Sequence, residues 1–351
     1  MLGVILEVLG IIFILLIIGF IFLVVKQVRK KTINSGKNSQ DKEKLKKENI
    51  SSEASNIETL NDVLIELNNL EGLEDIKLEV NELVSVLKYD LEEGSLDLQS
   101  ITLHYVFSGN PGTGKTTVAR LIAKIYKTLG ILESGQLVEV DRSDLVAGFI
   151  GQTAIQTKKK VEDAIGGVLF IDEAYALTGR GNSDFGNEAV ETLLKLMEDY
   201  KGQFMVIVAG YTNEMQEFLS SNPGLKSRFD KEFVFRDYNT ESLSVIAKKI
   251  LDDKGKEANL EVYNLIKDYL SYVKNQNLEG FGNAREVRKI IAEAVKNQKI
   301  RLSKIPADQR TDEMKKSILL EDLEEFKLEN LPRIKIEEKR SSIGYDYNDE
   351  N

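Results

Sequence analysis

The sequence contains no cysteine and only one histidine, His104, among its 351 residues. The absence of cysteine excludes a disulfide framework, thiol catalysis and cysteine-ligated zinc. His104 precedes an apolar run, which favours a structural role. Because His104 is the only histidine, histidine-cluster metal sites and serine–histidine hydrolysis are also excluded. The length of the chain predicts about two domains.

Basic charge is scarce outside one short segment. The whole chain has a formal net charge of −10, whereas residues 26–47 contain nine Lys or Arg and two acidic residues. Residues 48–351 therefore carry about −16, and so acidic a body is a poor general binder of nucleic acid phosphates. A DNA-acting enzyme is disfavoured, and we expect no nucleic acid partner.

The N-terminus is almost entirely apolar. Residues 2–25 read LGVILEVLGIIFILLIIGFIFLVV, with Glu7 as their only charge, and a helix needs about 20 apolar residues to span a membrane. Basic residues follow this run, which predicts a single-pass membrane anchor with the N-terminus outside and the rest of the chain in the cytoplasm. Residues 26–56 are polar and rich in lysine, which predicts a flexible tether.

A glycine-rich phosphate-binding pattern follows the first predicted strand. The strand LHYVF (103–107) leads into SGNPGTGKTT (108–117), which has the form G-x-x-x-x-G-K-T and precedes a predicted helix. The N–H groups of such a loop and the positive end of the helix dipole face phosphates. Lys115 is predicted to neutralise the β- and γ-phosphates of ATP, and Thr116 to ligate Mg²⁺.

Two adjacent carboxylates follow a second apolar strand, in GGVLFIDEAYAL (166–177). A run this apolar is typical of a parallel strand buried on both faces. At its end, Asp172 is predicted to hold Mg²⁺ through water and Glu173 to polarise the attacking water. The sequence has no N-K-x-D guanine signature, so the pair favours ATP hydrolysis over GTP switching.

Two arginines further along the chain are candidates for phosphate contacts. Arg228 lies in NPGLKSRFD (222–230), in a polar turn after a helix. It is either a solvated surface residue or a finger that reaches the γ-phosphate held by a neighbouring subunit. Arg285 stands at the head of a predicted helix in FGNAREVRKI (281–290), where it either faces phosphates or forms a surface salt bridge.

One loop places large apolar residues beside glycines. In LVAGFIGQTA (145–154), Phe149 and Ile150 lie between Gly148 and Gly151. Taken alone, these residues fit two structures, a hydrophobic plug in the core or a loop that presents an aromatic side chain to another molecule.

Together these motifs resemble the AAA+ ATPases, specifically the CbxX/CfqX group, over about residues 60–331. The resemblance rests on EGLEDIKLEV, GNPGTGKTTVARLIAKIY, IGQTA, GGVLFIDEAYAL, VAGYTNEM, NPGLKSRF and FGNAREVRKI. It implies a hexameric ring in which Arg228 acts in trans as the arginine finger and Arg285 is the sensor-2 residue. The place of sensor 1, often Asn in such proteins, falls on Tyr211 or Thr212.

The resemblance also implies a central pore that grips a polypeptide with an aromatic–hydrophobic–glycine triplet. Residues 149–151 match this triplet, with Phe where many relatives have Tyr. The glycine-rich stretch 178–187 is placed like a second pore loop, and a plain surface turn is the alternative.

The predicted fold class is α/β. It comprises a P-loop AAA+ parallel sheet with flanking helices and a smaller C-terminal helical lid, preceded by one N-terminal transmembrane helix. The predicted boundaries are 1–25 for the anchor, 26–56 for the tether, 57–238 for the nucleotide-binding domain, 239–331 for the lid and 332–351 for a charged tail.

The predicted function is ATP-driven remodelling or threading of a protein client by a membrane-anchored homohexamer. The alternative is an ATP-gated assembly or scaffold protein of a membrane complex, without threading. The nucleotide site is predicted to comprise Gly109, Asn110, Pro111, Gly112, Thr113, Gly114, Lys115, Thr116, Thr117, Asp172 and Arg285. Catalysis is assigned to Lys115, Glu173 and Arg228, Mg²⁺ binding to Thr116 and Asp172, and the pore contact to Phe149, Ile150 and Gly151.

Overall fold

A five-stranded parallel sheet organises the first part of the chain. The computed structural model describes residues 59–97, 103–149, 151–178, 185–229, 231–276 and 280–331. The order of the strands across the sheet is β2-β3-β4-β1-β5, and every neighbouring pair is parallel. The strands are β1 (His104–Gly109), β2 (Leu137–Val140), β3 (Val168–Ile171), β4 (Met205–Gly210) and β5 (Lys231–Phe235).

Helices pack against this sheet and form two apolar cores with it. Successive side chains of a strand point to opposite faces, and β1 shows this alternation. Phe107 belongs to a core with Ile122 of α3, whereas Val106 belongs to another core with Leu193 of α6. The helices of this part are α1 (Leu60–Asn68), α2 (Glu74–Glu92), α3 (Lys115–Thr128), α4 (Arg142–Leu145), α5 (Gln152–Ala164), α6 (Gly186–Asp199), α7 (Thr212–Ser221) and α8 (Pro223–Lys226), with a 3₁₀ helix at Ala174–Leu177.

A mainly helical lid follows β5 and has a core of its own. Leu243, Ile266 and Ile290, from three different helices, meet in this core. The lid helices are α9 (Thr240–Asp253), α10 (Leu260–Gln276), α11 (Ala284–Ser303) and α12 (Asp312–Lys316), with 3₁₀ helices at Ala307–Gln309, Leu320–Phe326 and Leu328–Asn330. The sequence shows no strand here, yet Glu257–Ala258 (β6) pairs in parallel with Ser317–Ile318 (β7).

The fold class predicted from the sequence is wrong in one part, the transmembrane helix. In the portion of the chain that the structure describes, no helix is both long and apolar enough to cross a membrane. The long described helices each bury one face and expose charged residues on the other, as α11 does with Ile290 buried and Lys289 exposed. The predicted anchor at 1–25 and tether at 26–56 lie outside the described residues. The α/β sheet with its C-terminal helical lid stands.

The parallel sheet determines where a site can form. The carboxyl ends of β1, β3 and β4 meet at one edge of the sheet, because all strands run in the same direction. Ligands of open α/β sheets bind at this edge. The phosphate-binding loop follows β1 and the acidic pair follows β3, so the fold brings both motifs to the same edge.

Candidate nucleotide-binding site

The loop after β1 has the shape of an anion cradle. All three of its glycines have positive φ, with values of 143° at Gly109, 72° at Gly112 and 102° at Gly114. A Cβ at Gly109 would lie 2.2 Å from Phe235 O, and one at Gly112 would lie 2.2 Å from Gly282 O. Glycine is therefore needed in this loop both for its backbone conformation and for its close packing.

Lys115 is the first residue of α3 and lies in the cradle. Its Nζ donates hydrogen bonds to Gly109 O at 2.7 Å and to Asn110 O at 2.9 Å. Burial lowers the pKa of Lys115 to about 8, a shift that the nearby Arg285 increases and the carboxylates of Asp172, Asp237 and Glu173 oppose. The nearby carboxylates thus do not fully stabilise the charged ammonium group, and the phosphates of a nucleotide would supply further negative charge.

The acidic pair stands at the end of β3 in a constrained turn. Asp172 N donates to Val140 O at 2.9 Å, and Asp172 Oδ1 accepts from Glu173 N at 3.1 Å. Glu173 has φ 48° and ψ 43°, a left-handed conformation that costs a non-glycine residue about 1–3 kcal/mol. Strain of this kind clusters at functional sites. Here the left-handed conformation of Glu173 turns the chain from the end of β3 directly into the 3₁₀ helix.

One cavity of about 490 Å³ contains most of the predicted nucleotide residues. Asn110 and Thr113 are not among its walls. Thr113 is fully buried and its Oγ1 donates to Asn110 O at 2.8 Å, while Asn110 donates to Asp237, so both shape the loop from behind. The predicted residues that line the cavity are Gly109, Pro111, Gly112, Gly114, Lys115, Thr116, Thr117, Asp172, Glu173 and Arg285.

The same cavity has an apolar end that the sequence analysis missed. Its walls come from the segment before α2, from α9 and from Tyr238, whose hydroxyl donates to Thr113 O at 3.2 Å. Burial raises the pKa of Tyr238 to about 12, so it remains a neutral donor. Apolar walls beside a phosphate cradle suit the planar base of a nucleotide. The apolar residues at this end are Leu70, Leu73, Ile246 and Ile250.

Tyr211 also lines the cavity, directly after β4. Of the two candidates for sensor 1, Tyr211 faces the site, whereas Thr212 begins α7 and is absent from the walls. The rings of Tyr211 and Tyr175 lie 6.1 Å apart. Burial and the adjacent Glu173 raise the pKa of Tyr175 to about 12.

Arg228 lies away from this cavity. Its guanidinium is 3.4 Å from Glu198 Oε2 and 3.5 Å from Gly224 O, beside a separate cavity that His104 also lines. Its Nε is buried without a hydrogen-bond partner among the described residues. Arg228 therefore does not complete the nucleotide site of its own chain.

Phe149 projects from the loop between α4 and α5. Its side chain is 72% exposed, so it is not a core residue of the single chain. The base of the loop is fixed, because Ala147 N donates to the buried Thr153 Oγ1 at 3.0 Å and Gly151 caps α5 with φ 78°. Ile150 lies outside the described residues, as do residues 179–184 of the predicted second pore loop.

Two family models match the chain. A model described as "ATPase family associated with various cellular activities (AAA)" matches residues 105–237, and a model of the AAA lid domain matches residues 239–332. The chain belongs to this family, which confirms the predicted enzyme class. The predicted resemblance to the CbxX/CfqX group is confirmed by its relatives.

Three relatives illustrate this. The chain is 46% identical over 211 residues to stage V sporulation protein K of Bacillus subtilis, and this alignment covers 60% of this chain and 66% of that protein. It is 45% identical over 202 residues to protein CbbX of Cereibacter sphaeroides, and this alignment covers 57% of this chain and 65% of that protein. It is 41% identical over 210 residues to the chloroplastic ribulose bisphosphate carboxylase/oxygenase activase of Cyanidioschyzon merolae. This alignment covers 60% of this chain and 71% of that protein. The chain thus spans slightly less than two thirds of the first two relatives.

A solved structure agrees at the level of the fold. The FIGL-1 AAA domain superposes with a TM-score of 0.51 at 16% identity, covering 74% of this chain and 81% of that domain. So low an identity shows the fold alone.

Proposed function

We propose that this AAA ATPase works as a ring of identical subunits, six by the family resemblance, that couples ATP hydrolysis to the remodelling of a protein client. The proposal rests on one observation: some of the functional residues line the cavity and others lie outside it. Lys115, Asp172 and Glu173 line one cavity, whereas Arg228 lies outside it and Phe149 projects into solvent.

The residues of the cavity fit Mg-ATP. The positive-φ glycines leave room for phosphates close to the backbone, and among the described residues the half-buried Lys115 donates from Nζ to two backbone carbonyls and to no carboxylate. Thr116 and Asp172 would hold Mg²⁺, whose charge would stabilise the leaving phosphates when it is bound. Glu173 would orient the attacking water and accept its proton.

The position of Arg228 supports assembly. An arginine that stabilises the transferring phosphoryl group speeds hydrolysis by orders of magnitude, and the cavity of a single chain does not receive this one. In a head-to-tail ring each subunit would present Arg228 to the cavity of its neighbour. The weak contact with the exposed Glu198 leaves the guanidinium available for this role.

Phe149 supports a protein client. A large exposed aromatic side chain on a loop with a fixed base is suited to contact a passing polypeptide. One relative is named an activase of ribulose bisphosphate carboxylase/oxygenase, so that protein acts on another protein. We extend this class of client, another protein, to the present chain.

The test uses the Glu173→Gln variant of the full chain, which is expected to bind ATP without turnover. With ATP it should assemble in sedimentation velocity and bind fluorescein-labelled casein, a model unfolded polypeptide, in an anisotropy titration. Adding Phe149→Ala should abolish casein binding, whereas Leu260→Ala, at an equally exposed lid residue (73%), should not.

Retained casein binding in the Phe149→Ala variant would contradict the pore contact. Assembly without any binding of casein by the parent protein would favour the alternative, an ATP-gated scaffold. The Asp172–Glu173 pair in the cavity argues against that alternative, because a scaffold needs no residue for water activation.

A further inference from the structure

Side-chain hydrogen bonds fasten the lid to the phosphate-binding loop. The Asp237 carboxylate is at their centre. It accepts hydrogen bonds from Asn110 Nδ2 at 3.0 and 3.1 Å, and from Asn283 Nδ2 at 2.7 Å. Asn110 belongs to the loop, Asp237 to the connection after β5, and Asn283 to the start of α11. We call these three residues the Asp237 clamp.

Asn283 is held by tertiary contacts rather than by its own helix. It occupies the N-cap position of α11, where an Asn side chain commonly accepts a hydrogen bond from the first turn, yet it makes no such bond. Its Oδ1 accepts from Tyr238 N at 2.9 Å instead, and its Nδ2 also reaches Pro111 O at 3.3 Å.

The backbone conformation of Asn283 also indicates that tertiary contacts hold this residue. It is fully buried with φ 46° and ψ −125°, a conformation outside the regions that non-glycine residues favour. Such strain persists only where the surrounding structure enforces it. The contacts that enforce it here are those to Asp237, Tyr238 and Pro111, together with a hydrogen bond from Nδ2 to Phe281 O at 3.0 Å.

The clamp lies directly beside Arg285. Between Asn283 and Arg285, Ala284 N donates to Gly112 O at 3.2 Å, and a Cβ at Gly112 would lie 2.8 Å from Arg285 N. The first turn of α11 is therefore packed on the phosphate loop. A shift of Asn283 would move Arg285 relative to any phosphate in the cradle.

We propose that Asp237 and Asn283 are positioning residues that hold Arg285 against the terminal phosphate of ATP, and so set the preference of the site for ATP over ADP. The inference rests on the proposed nucleotide site and adds residues to it. Position 237 needs a carboxylate because it faces two amide donors. An asparagine there would turn a donor toward one of them.

The experiment measures the affinities of the full chain for ATP and ADP by displacement of a fluorescent ADP, in a Glu173→Gln background that prevents turnover. Its readout is the ratio of the two dissociation constants. Asn283→Ala and Asp237→Asn should each reduce the preference for ATP about tenfold, the effect of losing a charge-assisted hydrogen bond. In an Arg285→Ala background, neither should change the ratio by more than about twofold, because the residue they position is absent.

Asn297→Ala is the matched control. Asn297 lies on the same helix and donates to Asp322 O and Glu325 Oε1, both at 3.1 Å, so its loss should leave the ratio unchanged. An unchanged ratio in Asn283→Ala, or an equal drop with Arg285 already removed, would overturn the inference. If Asn283→Ala does not fold, the isosteric Asp237→Asn is judged by the same two criteria. Failure of the parent protein to bind either nucleotide would instead refute the proposed nucleotide site, and the inference with it.

Discussion

The affinity for ATP should fall as Lys115 loses its proton. Burial lowers the pKa of this ammonium group in the nucleotide-free protein from 10.5 to about 8. The charged form is therefore penalised in the folded state by about 3 kcal/mol below pH 8, a penalty that fades as the pH rises from 8 to 10.5. Bound phosphates would reverse this shift, because they place negative charge beside Nζ.

The pKa gives the size of the effect. The charged fraction of Lys115 falls from about 0.9 at pH 7 to about 0.1 at pH 9. If binding requires the charged form, the dissociation constant for Mg-ATP should rise about tenfold over this interval. Binding at pH 8.5 should also take up a proton, which isothermal titration calorimetry detects as a dependence of the binding enthalpy on the ionisation enthalpy of the buffer.

Lys115→Arg provides the control, because a guanidinium stays charged throughout this range. Its affinity, at whatever level, should not change between pH 7 and 9, and its binding should take up no proton. A parent protein whose affinity is constant from pH 7 to 9 and whose binding takes up no proton would refute the reasoning about Lys115.

Two further substitutions test the packing. Gly112 and Gly130 share a φ of 72°, but only at Gly112 would a Cβ meet other atoms, with Gly282 O at 2.2 Å. Gly112→Ala should therefore weaken ATP binding at least tenfold in a titration where Gly130→Ala does not, and equal affinities would contradict the close contact between loop and lid. In the lid, Asp322 is 1% exposed and paired with Arg301 at 2.9 Å. Asp322→Ala should destabilise the protein by about 3–5 kcal/mol in chemical denaturation, and a loss under about 1 kcal/mol would show that the pair behaves like a surface one.

The phosphate-binding half of the site could be predicted because its signals are local. Lys115 and Thr116 follow a strand and a glycine-rich loop within a few residues, and the Asp172–Glu173 pair follows a purely apolar strand. Once both strands are known to be parallel, the sheet alone requires these motifs to lie at one edge.

The other half depends on distant parts of the chain. Ile246 and Ile250 show in the sequence only the spacing of an amphipathic helix, and only the fold shows that they line the cavity. The pattern of Asn283 correctly indicates the start of a helix, yet it gives no sign that the side chain turns away from that helix toward Asp237.

Short elements escape prediction for a different reason. Strand β2 has four residues, one of them Glu139, and lies at the edge of the sheet. Strands β6 and β7 have two residues each. A period of two needs a longer run before it can be distinguished from chance, so these strands are fixed by their neighbours in the fold.

Mixing two inactive variants shows whether neighbouring subunits complete each other's ATP sites. Arg228→Ala keeps Glu173 and Glu173→Gln keeps Arg228, so we expect negligible ATPase activity from either protein alone. In rings reassembled from an equal mixture, about one interface in four should combine an intact Glu173 with an intact Arg228 from the next subunit. Steady-state ATPase should then recover to about a quarter of the unaltered protein's rate. No recovery in rings shown to contain both variants would contradict the action of Arg228 on the neighbouring subunit's site.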